Sequence, residues 1–176
     1  MKRSLVLILC AALLAAATVA LTQTTPAPVY GAKGSTQPIA FSHEIHAGKL
    51  GMDCLYCHSS AEKSPVANLP AVSTCMGCHK IARADQPEIQ KLAAYAERGE
   101  QVPWVEVYAL PAHVKFNHNR HVKAGIKCQD CHGAVEKMPV VYQVPSLKMG
   151  WYVTCHRQNL DHPKFPASMD CLVCHH

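Results

Sequence analysis

Residues 54–58 read Cys-Leu-Tyr-Cys-His, and the same Cys-x-x-Cys-His spacing returns at 75–79, 128–132 and 171–175. Two thiols separated by two residues can reach the two vinyl groups of one porphyrin, and the adjacent His then lies beneath the iron. Because His fills 12 of 176 positions, chance would place it after all four pairs only about twice in a hundred thousand chains. The repeated motif therefore predicts covalently bound c-type haem rather than a zinc site or a disulfide framework.

A fifth copy of the motif is incomplete. Residues 152–156 read Tyr-Val-Thr-Cys-His, so Tyr152 stands where the first thiol is expected. A degenerate site without haem is the alternative, but Cys155 can still form one thioether and His156 can still ligate iron. We therefore predict five haem c groups, four attached through two thioethers and one through Cys155 alone. The predicted haem-binding cysteines and proximal ligands are Cys54, Cys57, Cys75, Cys78, Cys128, Cys131, Cys155, Cys171 and Cys174, and His58, His79, His132, His156 and His175.

An internal repeat supplies further histidines. Phe-x-His-x-x-His occurs at 41–46, ahead of two complete motifs, and again at 116–121, ahead of the other three. Two histidines three residues apart on a helical turn can point to two different haems. The repeat predicts distal iron ligands, and the two Phe residues are expected to pack on a porphyrin face. The predicted distal ligands of this kind are His43, His46, His118 and His121.

The composition predicts a domain that its cofactors hold together. The chain has only three Phe and two Trp, but ten Cys, which leaves little apolar bulk for a core. The net charge of +5 comes from scattered Lys and Arg, so it suits counter-ions for haem propionates better than a nucleic-acid surface. Pro interrupts most elements, and we expect mostly loops and short α-helices wrapped around covalently bound haems. One helix is clear, with Asp85 or Gln86 as its cap, Pro87 in its first turn and Gly99 at its end.

The N-terminal segment predicts membrane attachment. Lys2 and Arg3 precede a stretch from Leu5 to Leu21 without charge, near the lower length limit for a membrane span. We expect residues 1–22 to form an uncleaved signal-anchor with one transmembrane helix, 23–38 to form a linker, and 39–176 to form a periplasmic pentahaem domain. The predicted location is the cytoplasmic membrane, with the haem domain on its exterior, periplasmic side. Cleavage as a signal peptide would instead release a soluble periplasmic electron shuttle.

The chain resembles the pentahaem cytochrome subunit of alternative complex III, a bacterial quinol:electron-acceptor oxidoreductase. The resemblance covers the anchor and the exported domain, and that family has Cys where this chain has Tyr152. It rests on residues 41–46, 54–58, 74–79, 110–118 and 128–133, and most specifically on Val144-Pro-Ser-Leu-Lys-Met-Gly-Trp151 followed by Cys155-His156-Arg157. The resemblance implies modules like those of class III and c7 cytochromes. It leaves the last distal ligand open among Met149, His113, His162 and His176.

The resemblance also implies a role in respiration. The chain would relay electrons from an iron–sulfur subunit toward a monohaem cytochrome or a terminal oxidase, within a complex that includes integral membrane subunits. No substrate chemistry is expected in this chain alone, no catalytic residue is predicted, and no nucleic acid is an expected partner. Two alternatives stay open: a single-anchor multihaem quinol dehydrogenase that feeds a periplasmic reductase, and the soluble shuttle. A multihaem reductase of small anions is disfavoured because no acid–base cluster is visible in the sequence.

Overall fold

A computed structural model describes residues 34–176 of the chain. The predicted anchor at 1–22 and most of the predicted linker at 23–38 lie outside these residues. Within 34–176 the chain forms short helices joined by loops, with no β-strand, and this confirms the predicted helix-and-loop architecture. No helix in this part of the chain is long and apolar enough to cross a bilayer.

The first half of the described chain carries a π-helical turn and three helices. The turn spans Glu44–Lys49, and it is followed by α1 (Cys54–Cys57), α2 (Val72–His79) and α3 (Pro87–Glu97). The prediction for α3 is confirmed. Gln86 occupies the N-cap in an extended conformation and Pro87 begins the helix, where a missing N–H costs no hydrogen bond. Gly99 follows the end of α3 with φ of 66°, a left-handed conformation that favours glycine.

The second half repeats this plan with one more module. Its helices are α4 (His118–Lys123), α5 (Cys128–His132) and α6 (Met149–Gln158). Short 3₁₀ turns at Val135–Lys137 and Cys171–Val173 complete it. Each helix is too short to be stable alone, so the elements depend on tertiary contacts and on whatever the motifs bind.

The apolar core is small and lies where α2 packs on α3. Its buried members are Ile39, Val72, Leu92 and Val102, and Tyr95 and Trp104 pack against them. Many other large apolar side chains are exposed, among them Leu50 at 66% and Leu172 at 69%. The polypeptide therefore covers little of its own apolar surface, as expected for a chain that folds around large prosthetic groups.

Among the places where the two halves of the described chain meet, two are joined by hydrogen bonds of the backbone. The π-helical turn packs against the 3₁₀ turn at Val135–Lys137, where the Glu44 N–H donates to the Met138 carbonyl over 3.0 Å. A β-carbon at Gly48 would overlap the Glu136 carbonyl oxygen, so only glycine permits this approach. At the second place, the loop after α1 accepts hydrogen bonds from the start of α4. The His118 backbone N–H donates to the Pro65 carbonyl over 3.0 Å.

Candidate haem-binding sites

Every Cys-x-x-Cys-His motif forms a helical turn. This conformation places residues three apart on the same face, which suits two thiols that must reach one porphyrin edge.

No cysteine between residues 34 and 176 is in a disulfide. The motifs are called sites 1 to 5: site 1 is Cys54, Cys57 and His58; site 2 is Cys75, Cys78 and His79; site 3 is Cys128, Cys131 and His132; site 4 is Tyr152, Cys155 and His156; and site 5 is Cys171, Cys174 and His175.

The imidazoles of sites 2 to 5 each face a second imidazole from elsewhere in the chain. For four sites the separation of the ring centroids falls in a narrow range. The pairs are His46 with His79 at 6.0 Å, His118 with His132 at 6.4 Å, His121 with His156 at 6.1 Å, and His113 with His175 at 5.9 Å. The two repeat histidines of the second half thus face the histidines of two neighbouring sites, and their role as distal iron ligands stays a prediction.

The spacing of the paired rings fits one iron atom between them. Two metal–nitrogen bonds of about 2 Å, with about 1 Å from each nitrogen to its ring centre, would place the centroids about 6 Å apart. Within residues 34–176, no cluster of three or more potential metal ligands occurs. The imidazoles are therefore arranged as pairs. A haem supplied to these pairs would be six-coordinate, with an imidazole on each face.

The imidazole of site 1, His58, lies near enough to His43 to influence its charge. Burial lowers the pKa of His43 to about 4, and the nearby His58 and His46 contribute to the shift. Burial also lowers the pKa of His132 to about 4, with contributions from His118 and His58. Both imidazoles are therefore neutral at pH 7, and the neutral form is the one that ligates a metal.

The geometry singles out His113 among the four candidates for the last distal ligand. Its ring is stacked on that of His175, with 17° between the ring planes. Met149 begins α6 and is 62% exposed. The Nδ1 atom of His162 accepts a hydrogen bond from the Phe165 N–H over 3.1 Å, and His176 contacts the Leu172 carbonyl. Sequence reasoning could not choose His113, because the repeat places Pro38 at the equivalent position of the first half.

Backbone carbonyls orient most of these imidazoles through their Nδ1 atoms. Such second contacts fix the ring orientation and raise the basicity of a ligand. The distances run from 2.6 Å to 3.3 Å, and the pairs are His46–Ser42, His58–Asn68, His79–Ala82, His118–Pro65, His121–Asn117, His156–Ser168 and His175–His113. Only Nε2 then remains to face a metal. The buried Nδ1 of His43 has no hydrogen-bond partner in the described protein, and a haem propionate is a group that could accept from it.

The two Phe residues of the repeat lie against imidazoles. Phe41 stacks on His46 with 4.4 Å between centroids and 22° between planes, and Phe116 stacks on His121 with the same two values. Each Phe also meets the first histidine of its repeat edge to face, at 4.8 Å. Each Phe therefore contacts both histidines of its repeat, and packing on a porphyrin face stays a prediction for these two rings.

Burial raises the thiol pKa at four of the motif cysteines, Cys54, Cys57, Cys75 and Cys131. Burial raises the pKa of Cys131 to about 11, and Cys155 adds to the shift. At site 4, burial raises the pKa of the Tyr152 phenol to about 12, with contributions from Cys131 and Cys174. A phenol has no sulfur and cannot form a thioether, so Cys155 is the one attachment point that site 4 offers.

Comparison with known proteins agrees with this arrangement. Residues 19–102 match the model of the class III cytochrome c family. Over 162 residues the chain is 30% identical to a protein of Nitratidesulfovibrio vulgaris (strain Hildenborough) named menaquinone reductase, multiheme cytochrome c subunit, covering 79% of this chain and 76% of the relative. This chain is a class III multihaem cytochrome c. Haem c is therefore its expected cofactor, and electron transfer in quinone oxidoreduction is the function that its relative suggests.

In a multihaem cytochrome c, the prosthetic groups supply one-electron oxidation and reduction, and the polypeptide sets their ligands and surroundings. The paired imidazoles would leave no open position on an iron for a substrate. The nine cysteines and the ligand histidines predicted from the sequence all lie in motif helices or in the turns that face them. The similarity to the relative from Nitratidesulfovibrio vulgaris supports the assignment as a multihaem electron carrier, whereas the number of haems and their attachment are proposals.

Proposed function

We propose that this cytochrome is the electron-transfer subunit of a membrane-bound quinol oxidoreductase complex, with five haem c groups. The observation that carries the proposal is the separation of the paired imidazole rings. At sites 2 to 5 the ring centroids lie 5.9–6.4 Å apart, which fits one iron atom between the two rings. An iron with an imidazole on each side exchanges electrons without binding substrate. The relative from Nitratidesulfovibrio vulgaris supports a place in a quinone-linked complex, since its name describes a subunit of a menaquinone reductase.

The partners follow from the resemblance to alternative complex III. An iron–sulfur subunit would deliver electrons, integral membrane subunits would carry the quinol site, and a monohaem cytochrome or a terminal oxidase would accept the electrons. The apolar stretch near the N-terminus would hold the chain in the cytoplasmic membrane, with the haem domain on the periplasmic side.

The composition of the purified protein tests the proposal. The full chain, carrying a C-terminal affinity tag, is expressed in a host that attaches c-type haem, and is extracted from membranes in mild detergent. We expect an intact mass that corresponds to five haems on a chain beginning at Met1, together with co-purifying iron–sulfur and integral membrane subunits. Four haems on a chain beginning after the apolar stretch, recovered from the periplasm without partners, would contradict the proposal.

Electron flow in the opposite direction is a second candidate, because the relative is named a menaquinone reductase. The complex would then take electrons from a soluble donor and reduce menaquinone. A short-chain menaquinol analogue and the corresponding quinone distinguish the two directions when each is added to the isolated complex. Haem reduction by the quinol supports quinol oxidation, and reoxidation of pre-reduced haem by the quinone supports menaquinone reduction.

A further inference from the structure

The contacts between neighbouring sites do not follow the order of the motifs along the chain. Sites 1 and 2 adjoin each other, because their distal ligands His43 and His46 lie on one turn. The Cys57 thiol of site 1 also lies within electrostatic reach of Cys75 of site 2. Sites 3 and 4 repeat this relationship through His118 and His121, and Cys131 of site 3 lies near Cys155 of site 4.

The two halves are joined through sites 1 and 3. The Cys54 thiol of site 1 lies near the Cys128 thiol of site 3, close enough for Cys128 to influence its charge. His58 lies near enough to His132 to influence its charge. The chain that follows site 1 also positions the distal ligand of site 3, because the Pro65 carbonyl lies 2.8 Å from the His118 Nδ1. Site 1 therefore has two neighbouring sites.

Site 5 lies beyond site 4. Tyr152 of site 4 lies near Cys174 of site 5, and its ring is 6.1 Å from that of Phe116. One residue before Phe116, the Lys115 N–H donates to the Cys174 carbonyl over 2.8 Å. The segment that carries the distal ligands of sites 3 and 4 is thus bonded directly to site 5.

In the contacts described above, site 2 adjoins site 1 and site 5 adjoins site 4. Within residues 34–176, no hydrogen bond or ring contact joins site 2 to sites 3, 4 or 5. We propose that the five sites form one unbranched row in the order 2, 1, 3, 4, 5, so that sites 2 and 5, and not sites 1 and 5, are its ends.

The order has a consequence for the surfaces that redox partners use. A partner that exchanges electrons with one end of the row must approach site 2, beside which Ile81 is 90% exposed. A partner at the other end must approach site 5, where Leu172 lies between the two cysteines. Site 1, although first in sequence, is enclosed by neighbours on two sides. This inference rests on the proposal that the motifs hold haem.

Removing one haem at a time tests the order. In holoprotein of the full chain, both cysteines of one site are replaced by Ala, and the signals of the remaining ferric haems are compared with those of the unmodified protein by paramagnetic NMR. Loss of a neighbour shifts the signals of the haems beside it. We expect removal of site 1 to shift the signals of two other haems, and removal of site 2 to shift those of one.

The sequence order 1, 2, 3, 4, 5 gives the reverse result, with one shifted haem after removal of site 1 and two after removal of site 2. That outcome would overturn the proposal, as would three or more shifted haems from any single removal. If a variant that lacks one haem fails to fold, His58→Met and His79→Met keep that haem and change one of its ligands. The same numbers of shifted neighbouring haems are then expected. A haem count below five in the unmodified protein would contradict the proposed function alone, because the comparison of sites 1 and 2 remains valid.

Discussion

The imidazole rings of His113 and His175 lie 5.9 Å apart and within 17° of parallel. This pair comes from opposite ends of the second half of the chain, and the His113 carbonyl also lies 3.3 Å from the Nδ1 atom of its partner. If site 5 holds haem, its second ligand would come from a residue outside the repeat. Four of the five predicted proximal histidines then face a histidine, His79, His132, His156 and His175.

The choice of His113 predicts the behaviour of a substitution. In His113→Ala we expect the haem of site 5 to lose one ligand, because between residues 34 and 176 the ring contact to His175 comes from His113. One haem should then become high-spin in the ferric state and bind carbon monoxide when reduced, with the total haem content unchanged. Absorption and electron paramagnetic resonance spectra measure both effects.

Substitutions of the other candidate ligands serve as controls for His113→Ala. Met149→Leu, His162→Gln and His176→Gln should each keep every haem low-spin. A high-spin haem in Met149→Leu, with His113→Ala unchanged, would assign the ligand to the methionine instead.

The incomplete motif at site 4 predicts two opposite effects on haem attachment. Tyr152→Cys should add a second thioether without changing the haem count, and should shift the pyridine haemochrome band of one haem toward that of a doubly attached haem. Cys155→Ala should remove the remaining attachment point, so that the intact mass falls by one haem. Retention of the full haem mass in Cys155→Ala would show that site 4 is not attached through this thiol.

Because Gly48 closely approaches the second half of the chain, we predict that a methyl group at this position destabilises the folded protein. Gly48→Ala places a carbon against the Glu136 carbonyl, so the turn carrying two ligands must move away from the second half, at a cost of about 1–3 kcal/mol. Denaturant unfolding followed by circular dichroism measures the loss. Gly77→Ala is the matched control, because no described atom lies within 4 Å of a β-carbon there and Ala is favoured over Gly in a helix.

The small core predicts that α3 holds site 2 in place. Leu92 is only 5% exposed and packs within the buried cluster, so Leu92→Ala should lower the free energy of unfolding by about 2–5 kcal/mol. The midpoint of denaturation measures this change. Ile81→Ala should shift the midpoint little, because Ile81 is 90% exposed; equal shifts in the two variants would contradict the assigned core.

The sequence predicts the local chemistry of this protein better than its long-range arrangement. The motif cysteines, the proximal histidines and the Phe-x-His-x-x-His repeat could all be identified because each depends on residues close together in sequence. The helix α3 could be predicted for the same reason, from Pro87 and Gly99 at its ends.

What the sequence could not predict depends on contacts between distant residues. The pairing of His113 with His175 joins residues 62 positions apart, and no periodic pattern marks either one as the partner of the other. The junction of sites 1 and 3 likewise depends on contacts such as that between His118 and Pro65, 53 positions apart. The apolar pattern gives no guidance either, since little of the chain is buried without its cofactors.

The location of each ligand pair also bears on how the protein is assembled. The ligands of sites 1 and 2 all lie before residue 80, and those of sites 3 and 4 lie between residues 118 and 156. If each iron joins two histidines, it closes a loop of polypeptide between them. A chain that emerges N-terminus first can therefore close four such loops before its last residues appear. Site 5 needs the longest loop, whose closure costs the most chain entropy. The loop of site 5 also contains the ligands of sites 3 and 4. If sites 3 and 4 close first, less flexible chain remains between His113 and His175, and closing the loop of site 5 then costs less entropy.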